Sequence, residues 1–163
     1  MYKIIVTGPE CSGKTTLSKK LSQHFKISFA KEYAREYLEK NGLAYEQNDL
    51  LKIAQKQIEK EKKFNLLDTD LLTIKIWSEY KYGNCHDWIL EKIRNQISQK
   101  RIYILCKPDI KWQYDPQREN QHNRGKLYAI YKKELDLLGH RYYINHSKRP
   151  LNKLYSILEK YIS

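Results

Sequence analysis

Residues 8–16 read Gly8-Pro9-Glu10-Cys11-Ser12-Gly13-Lys14-Thr15-Thr16, a complete G-x-x-x-x-G-K-T. This pattern works only between a strand and a helix. Gly8 and Gly13 adopt backbone angles that a Cβ disfavours, so successive N–H groups can turn inward around an anion. The helix that follows adds its partial positive charge. Both flanks fit. Tyr2-Lys3-Ile4-Ile5-Val6-Thr7 is a short β-rich run, and Leu17, Leu21 and Phe25 mark one face of a helix from Thr15 to Phe25. Glu10, Cys11, Ser12, Gly13, Lys14, Thr15 and Thr16, with Gly8, are therefore assigned to a nucleotide's phosphates. Lys14 reaches the β- and γ-phosphates, and the Thr15 hydroxyl is placed for Mg²⁺.

The rest of the chain alternates short apolar runs with helical periods. Strands are expected at Lys26–Lys31, Phe64–Asp68, Arg101–Cys106 and Arg141–Asn145. Helices are expected at Glu32–Asn41, Glu46–Lys63, Leu71–Tyr82, Asp87–Gln99, Lys126–Leu138 and Pro150–Ile162, with Gly42, Gly83 and Gly139 as stops. This alternation predicts an α/β fold of three layers, helix–sheet–helix, on a five-stranded parallel sheet. The polar stretch Lys107–Arg124, with Pro108 and Pro116, breaks the pattern and is expected to be a short lid spanning about residues 107–125. At 163 residues the chain is expected to form one domain.

Composition narrows the function classes. No apolar stretch approaches the length of a membrane span, so no membrane partner is expected. The first strand is expected to begin at once, so no signal peptide is expected. Cys11, Cys85 and Cys106 form neither a zinc pattern nor a disulfide framework, which suits a reducing cytoplasm. The net charge of +12 raises the question of nucleic acid, but 24 of the 31 basic residues are lysines, scattered over nearly every helix. Base and phosphate recognition draws heavily on arginine, so a solvated lysine-rich surface is the preferred reading.

Several residues outside the loop are placed for chemistry. Asp68 ends an apolar strand, where an acid can hold Mg²⁺ beside Thr15. Asp70, two residues on, caps the next helix, contacts substrate, or does both. Glu32 follows the second strand, at the border of the acceptor site, where a carboxylate can take a proton from a substrate hydroxyl. Arg35, one turn later, is placed for a substrate group or phosphate; an ion pair on the helix surface is the plainer account of both. Arg118 and Arg124 in the lid can neutralise charge near a γ-phosphate, or be solvated arginines of a surface turn. Trp112, also in the lid, is a candidate to stack on a flat ring, with Trp77 and Tyr80 as weaker ones.

Taken together, the phosphate loop, Glu32-Tyr33-Ala34-Arg35-Glu36, Ala54 and Gln57, Leu67-Asp68-Thr69-Asp70 and Trp112…Asp115-Pro116-Gln117-Arg118-Glu119-Asn120 resemble the ribosylnicotinamide kinase domain of the NadR-type family. The resemblance covers about residues 3–160. It implies ATP and Mg²⁺ as cofactors and a small nucleoside, nicotinamide riboside, phosphorylated on its 5′-hydroxyl. It implies Glu32 as base, Asp68 as metal acid, Arg118 as lid arginine, and Gln57 and Tyr33 on the substrate side. Bifunctional relatives carry an adenylyltransferase domain upstream; this chain is expected to stop at the mononucleotide. The lid reads Asp-Pro-Gln-Arg rather than a glycine-containing version. Two other readings remain open at this point: a polynucleotide 5′-hydroxyl kinase or other nucleic-acid-associated NTPase, and a nucleotide-dependent regulatory protein.

Overall fold

A computed structural model describes residues 1–162. Five strands, β1 (Lys3–Thr7), β2 (Phe29–Ala30), β3 (Leu66–Asp68), β4 (Arg101–Cys106) and β5 (Arg141–Asn145), form one parallel sheet in the order β2-β3-β1-β4-β5. β1 lies at the centre because it is apolar on both faces and flanked on both sides, as Ile5 pairs with Leu67 of β3 and with Tyr103 of β4.

Alternation along β1 divides the core. Ile4 and Val6 point to one side, against Leu17 and Leu21 of α1 (Lys14–Phe25) and Leu158 of α7 (Asn152–Ile162). Ile5 points to the other, with Leu72 and Ile76 of α4 (Leu71–Tyr82) and Leu127, Tyr131 and Leu135 of α6 (Arg124–Leu138). A satellite core joins α4 to α2 (Tyr33–Asn41), α3 (Gln47–Glu61) and α5 (Asp87–Gln96). The three-layer α/β/α reading with a five-stranded parallel sheet is what the chain adopts. The second strand is shorter than the run Lys26–Lys31 suggests, because only Phe29 and Ala30 reach β3. Residues 107–123 form no helix or strand and cross over the carboxyl ends of the strands.

A charged cluster sits where apolar packing is the norm. Arg101, at the start of β4, is fully buried. It donates to Asp70 Oδ2 at 2.9 Å and to Glu61 Oε1, and Tyr103 donates to Asp70 Oδ2 at 2.7 Å. Asp70 also caps α4, accepting from the Leu72 amide at 3.1 Å.

Candidate active site

The loops that follow β1, β2 and β4 meet at one end of the sheet and line one cavity of about 580 Å³. The phosphate loop forms its floor. Gly8 has φ +139° and lies so close to β4 that a Cβ would stand 2.7 Å from the Cys106 carbonyl. Gly13 leads into α1 at φ 84°. The loop is braced internally by Ser12 Oγ donating to the Pro9 carbonyl at 2.7 Å, and Lys14 Nζ rests on the same carbonyl at 2.9 Å.

Thr15 Oγ1 donates to Asp68 Oδ2 at 2.6 Å. Asp68 is buried, and its other oxygen, Oδ1, has no partner. An orphaned carboxylate oxygen beside a hydroxyl is a donor set that suits Mg²⁺, which takes few protein ligands and completes its shell with water and phosphate oxygens. Burial raises the Asp68 carboxyl above the ordinary range, opposed by the Thr15 hydrogen bond, Lys14 and Arg35. A bound cation would reverse that cost.

Glu32 occupies the N-cap position of α2 but its side chain makes no cap bond, leaving the carboxylate on the cavity wall. Burial raises its pKa as well, opposed first by Lys14; Asp68 and Glu10 raise it further and Arg35 lowers it. A carboxylate held near a lysine, with a strengthened affinity for a proton, is suited to serve as a general base. Arg35 lines the same wall and pairs with Asp115 of the crossing segment at 2.9 Å.

The opposite wall is α4 and α6: Thr73, Ile76, Trp77, Tyr80, Lys81, Leu127 and Tyr131. The segment 107–123 closes the cavity with Ile110, Gln113 and Gln117–Asn120, Arg118 included. It is tied to the phosphate loop at consecutive residues. The Glu10 carboxylate accepts the Glu119 amide at 3.1 Å and the Asn120 amide at 2.9 Å. Cys11 Sγ accepts the Gln113 amide at 3.4 Å, and the Cys11 carbonyl accepts Arg124 Nη1 at 2.9 Å. On the far side Glu119 meets Tyr45 and Lys81. Lys81 Nζ donates to Glu119 Oε1 at 3.0 Å and to the Tyr45 hydroxyl at 2.7 Å; Trp77 Nε1 donates to that hydroxyl at 2.8 Å. Tyr45 donates in turn to Glu119 Oε2 at 2.9 Å. Burial lifts the Tyr45 phenol to about 12, which keeps it a donor.

The cavity brings together Gly8, Glu10, Cys11, Ser12, Gly13, Lys14, Thr15, Thr16, Glu32, Arg35 and Arg118, with Asp68 directly behind Thr15. Besides Asp68, five expected site residues do not line it. Asp70 is the helix cap and the partner of buried Arg101, so both its oxygens are engaged away from the cavity. Gln57 is buried, accepting the Tyr33 amide at 3.1 Å. The Tyr33 ring turns toward α3, with Lys60 Nζ 4.9 Å from its centre. Trp112 lies beneath the guanidinium groups of Arg118 and Arg124, 5.8 and 5.5 Å from its ring centre. Arg124 is held by the Cys11 and Ile110 carbonyls. In each case the polar or aromatic group meets a neighbour within the protein.

The Tyr45–Lys81–Glu119 cluster and the Glu10 tie escape a reading of the sequence, since their partners lie far apart in the chain. One signal was available: Arg101 opens an otherwise apolar strand, and a buried arginine demands acidic partners. Among the described residues no helix is long and apolar enough to cross a membrane, and no group of three or more His, Cys, Asp or Glu is placed for a metal.

Residues 3–149 match the family described as AAA domain. No curated protein matches the sequence. Solved structures share the fold. The NadR protein in complex with NR superposes with a TM-score of 0.72 at 18% identity, over 97% of this chain and 50% of that one. The YorR protein of Bacillus subtilis, in complex with phosphorylated GDP, gives 0.59 at 19% identity, over 98% and 96%. The deoxyadenosine kinase of M. mycoides with bound dATP gives 0.54 at 16% identity, over the full length of both chains. The chain thus spans about half the length of the NadR protein.

Proposed function

The chain belongs to the AAA-domain family, and on that premise we propose that it is an ATP- and Mg²⁺-dependent nucleoside kinase that phosphorylates the 5′-hydroxyl of nicotinamide riboside to nicotinamide mononucleotide. The observation that carries the proposal is that Glu32, a carboxylate of raised pKa, lines the same cavity as Lys14. A phosphate-binding loop facing a base across a nucleoside-sized space is a phosphoryl-transfer arrangement. The likeness to the NadR protein in complex with NR supports the choice of nucleoside.

In this reading the nucleoside sits between Glu32 and Arg35 on one side and the α4–α6 wall on the other. Its 5′-oxygen forms a bond to the γ-phosphorus, and the bond from that phosphorus to the β–γ bridging oxygen breaks, releasing ADP. The hydroxyl proton passes to Glu32. Lys14 and the loop amides take up charge on the β- and γ-phosphates, and Arg118 covers the transferring group from the lid. Thr15 and Asp68 would hold Mg²⁺, which when bound would neutralise phosphate charge. Glu10 and Cys11 keep the lid docked, and so keep water out.

The test is a panel of nicotinamide riboside, deoxyadenosine, other nucleosides and a 5′-hydroxyl oligonucleotide, each with ATP–Mg²⁺ at physiological salt. Products are read by mass, with Lys14→Ala as the inactive control. The expected result is the highest kcat/KM for nicotinamide riboside. Another nucleoside winning would leave the kinase and remove the substrate. An oligonucleotide winning, with the steep salt dependence of counterion release, would make the +12 charge the better guide.

A further inference from the structure

The first turn of a helix leaves N–H groups with no partner inside the helix, and the N-cap side chain ordinarily accepts one of them. In α2 the N-cap is Glu32, and its side chain makes no such bond. The first helical N–H, that of Tyr33, is accepted by Gln57 Oε1 from α3, at 3.1 Å. The other end of the same amide, Nε2, makes a long 3.5 Å contact to the Thr69 carbonyl. Thr69 follows Asp68 directly and holds a left-handed backbone at φ 68°; its own N–H is tied to the Val6 carbonyl of β1 at 2.9 Å. Gln57 is almost completely buried and does not reach the cavity.

Resting on the kinase reading above, we propose that Gln57 is a positioning residue: its buried amide holds the first N–H of α2 and couples the Glu32–Tyr33 turn to the Asp68–Thr69 turn, which fixes the distance of the Glu32 carboxylate from the metal acid. A carboxamide is required because the two neighbours have opposite polarity. The Tyr33 side needs an acceptor and the Thr69 side a donor. Glutamate lacks the donor, and methionine, of similar volume, lacks both. The rest of α2 is docked on α3 by other contacts. Lys60 pairs with Glu36 at 3.0 Å, and the Tyr37 hydroxyl donates to Asp49 at 2.5 Å. A Gln57→Met protein therefore keeps the helix in place and loosens only its first turn.

Two readouts test this. The first is amide hydrogen exchange of Tyr33, which needs no substrate. It is expected to be slow in the wild-type protein and at least about tenfold faster in Gln57→Met, the size expected when a single buried hydrogen bond is lost. Unchanged exchange overturns the tie. The second is kinetic. Gln57→Met should lower kcat by about tenfold or more, since small misplacements are costly, while KM for the nucleoside stays within about twofold. In a Glu32→Gln background the same substitution should add less than about a twofold loss, because the two act as one unit. A rise in KM at constant kcat would make Gln57 a substrate contact, and a full additional loss beside Glu32→Gln would make it merely structural; either overturns the proposal. If Glu32→Gln itself loses nothing, the base assignment falls instead, a different result from a failure of Gln57, and hydrogen exchange then decides the tie alone.

Discussion

Thr15 and Asp68 share a 2.6 Å hydrogen bond that uses only one of the two carboxylate oxygens; the other is buried without a partner. Asp68 is therefore folded into an environment that favours its protonated form. A carboxyl whose pKa is raised by folding adds stability below its unfolded pKa and loses it as pH rises through the folded one. At neutral pH its charge is a cost that a cation offsets. Asp68→Asn keeps an acceptor for Thr15 and removes the charge. The variant is expected to melt above the wild type at neutral pH without Mg²⁺, with the difference vanishing in acid. Its kcat/KM should fall by about two orders of magnitude, as for loss of one preorganised electrostatic group. Calorimetry across pH with and without Mg²⁺, beside steady-state kinetics, checks both; equal melting at every pH would refute the burial argument.

Glu32 gives a pH prediction of its own. It must be ionised to accept a proton, and burial raises its pKa against the pull of Lys14. Activity should thus fall as pH drops through an apparent pKa above the ordinary carboxylate range. Glu32→Gln should abolish that limb and lower kcat by at least about two orders of magnitude, with ATP binding retained. A limb that survives in Glu32→Gln would assign it to another group.

Gly8 reports on how tightly the loop is set on the sheet. Alanine there would adopt φ +139° and bring its Cβ to 2.7 Å from the Cys106 carbonyl. Neither strain can relax without moving backbone, so a loss of about 1–3 kcal/mol is expected from the conformation alone. Urea unfolding of Gly8→Ala measures it, and a loss under about 0.5 kcal/mol, the range of ordinary surface changes, would contradict the close approach.

What the sequence discloses here divides along locality. The phosphate loop, the acid ending β3 and the acid opening α2 are legible because their meaning lies in a few consecutive residues and the elements beside them. Arg101 is not, since its partners Asp70 and Glu61 stand 31 and 40 residues away. Gln57 occupies an inward position on α3 like any core residue, and nothing local says that its amide turns to a neighbouring helix rather than to a ligand. Trp112 invites a stacking role by composition; in the fold it is two arginines that stand over its ring. The lid is legible as an interruption, but its anchors on Glu10, Tyr45 and Lys81 follow only from the sheet order, which brings the loops after β1, β2 and β4 together.

Arg101 also carries a stability prediction. Arg101→Met would leave the Asp70 and Glu61 carboxylates buried with no cation between them. Removing one partner of a buried ion pair costs about 3–5 kcal/mol, far more than the pair contributes over apolar packing. Asp70→Asn, which keeps an acceptor for the Leu72 amide, should cost less. Chemical denaturation of the two variants checks the order, and a reversed order would show that the cap outweighs the charge balance.

The lid pairs should behave in the opposite way. Arg35–Asp115 and Lys81–Glu119, at 2.9 and 3.0 Å, are both open to solvent, the first with Asp115 half-buried. Exposed pairs contribute about 0–1 kcal/mol, so Asp115→Asn with Glu119→Gln should barely shift thermal unfolding. Both pairs nevertheless span from the segment 107–123 to α2 and α4, which line the cavity. Loosening them should let water reach the phosphate loop while ATP is held. The expected signature is uncoupling: ADP formed in excess of phosphorylated nucleoside, where the wild type gives the two in equal amounts. Parallel assays of ADP and of nucleotide product measure the ratio. A ratio that stays at unity in the double variant, at unchanged stability, would mean that the Glu10 and Cys11 ties alone hold the lid shut.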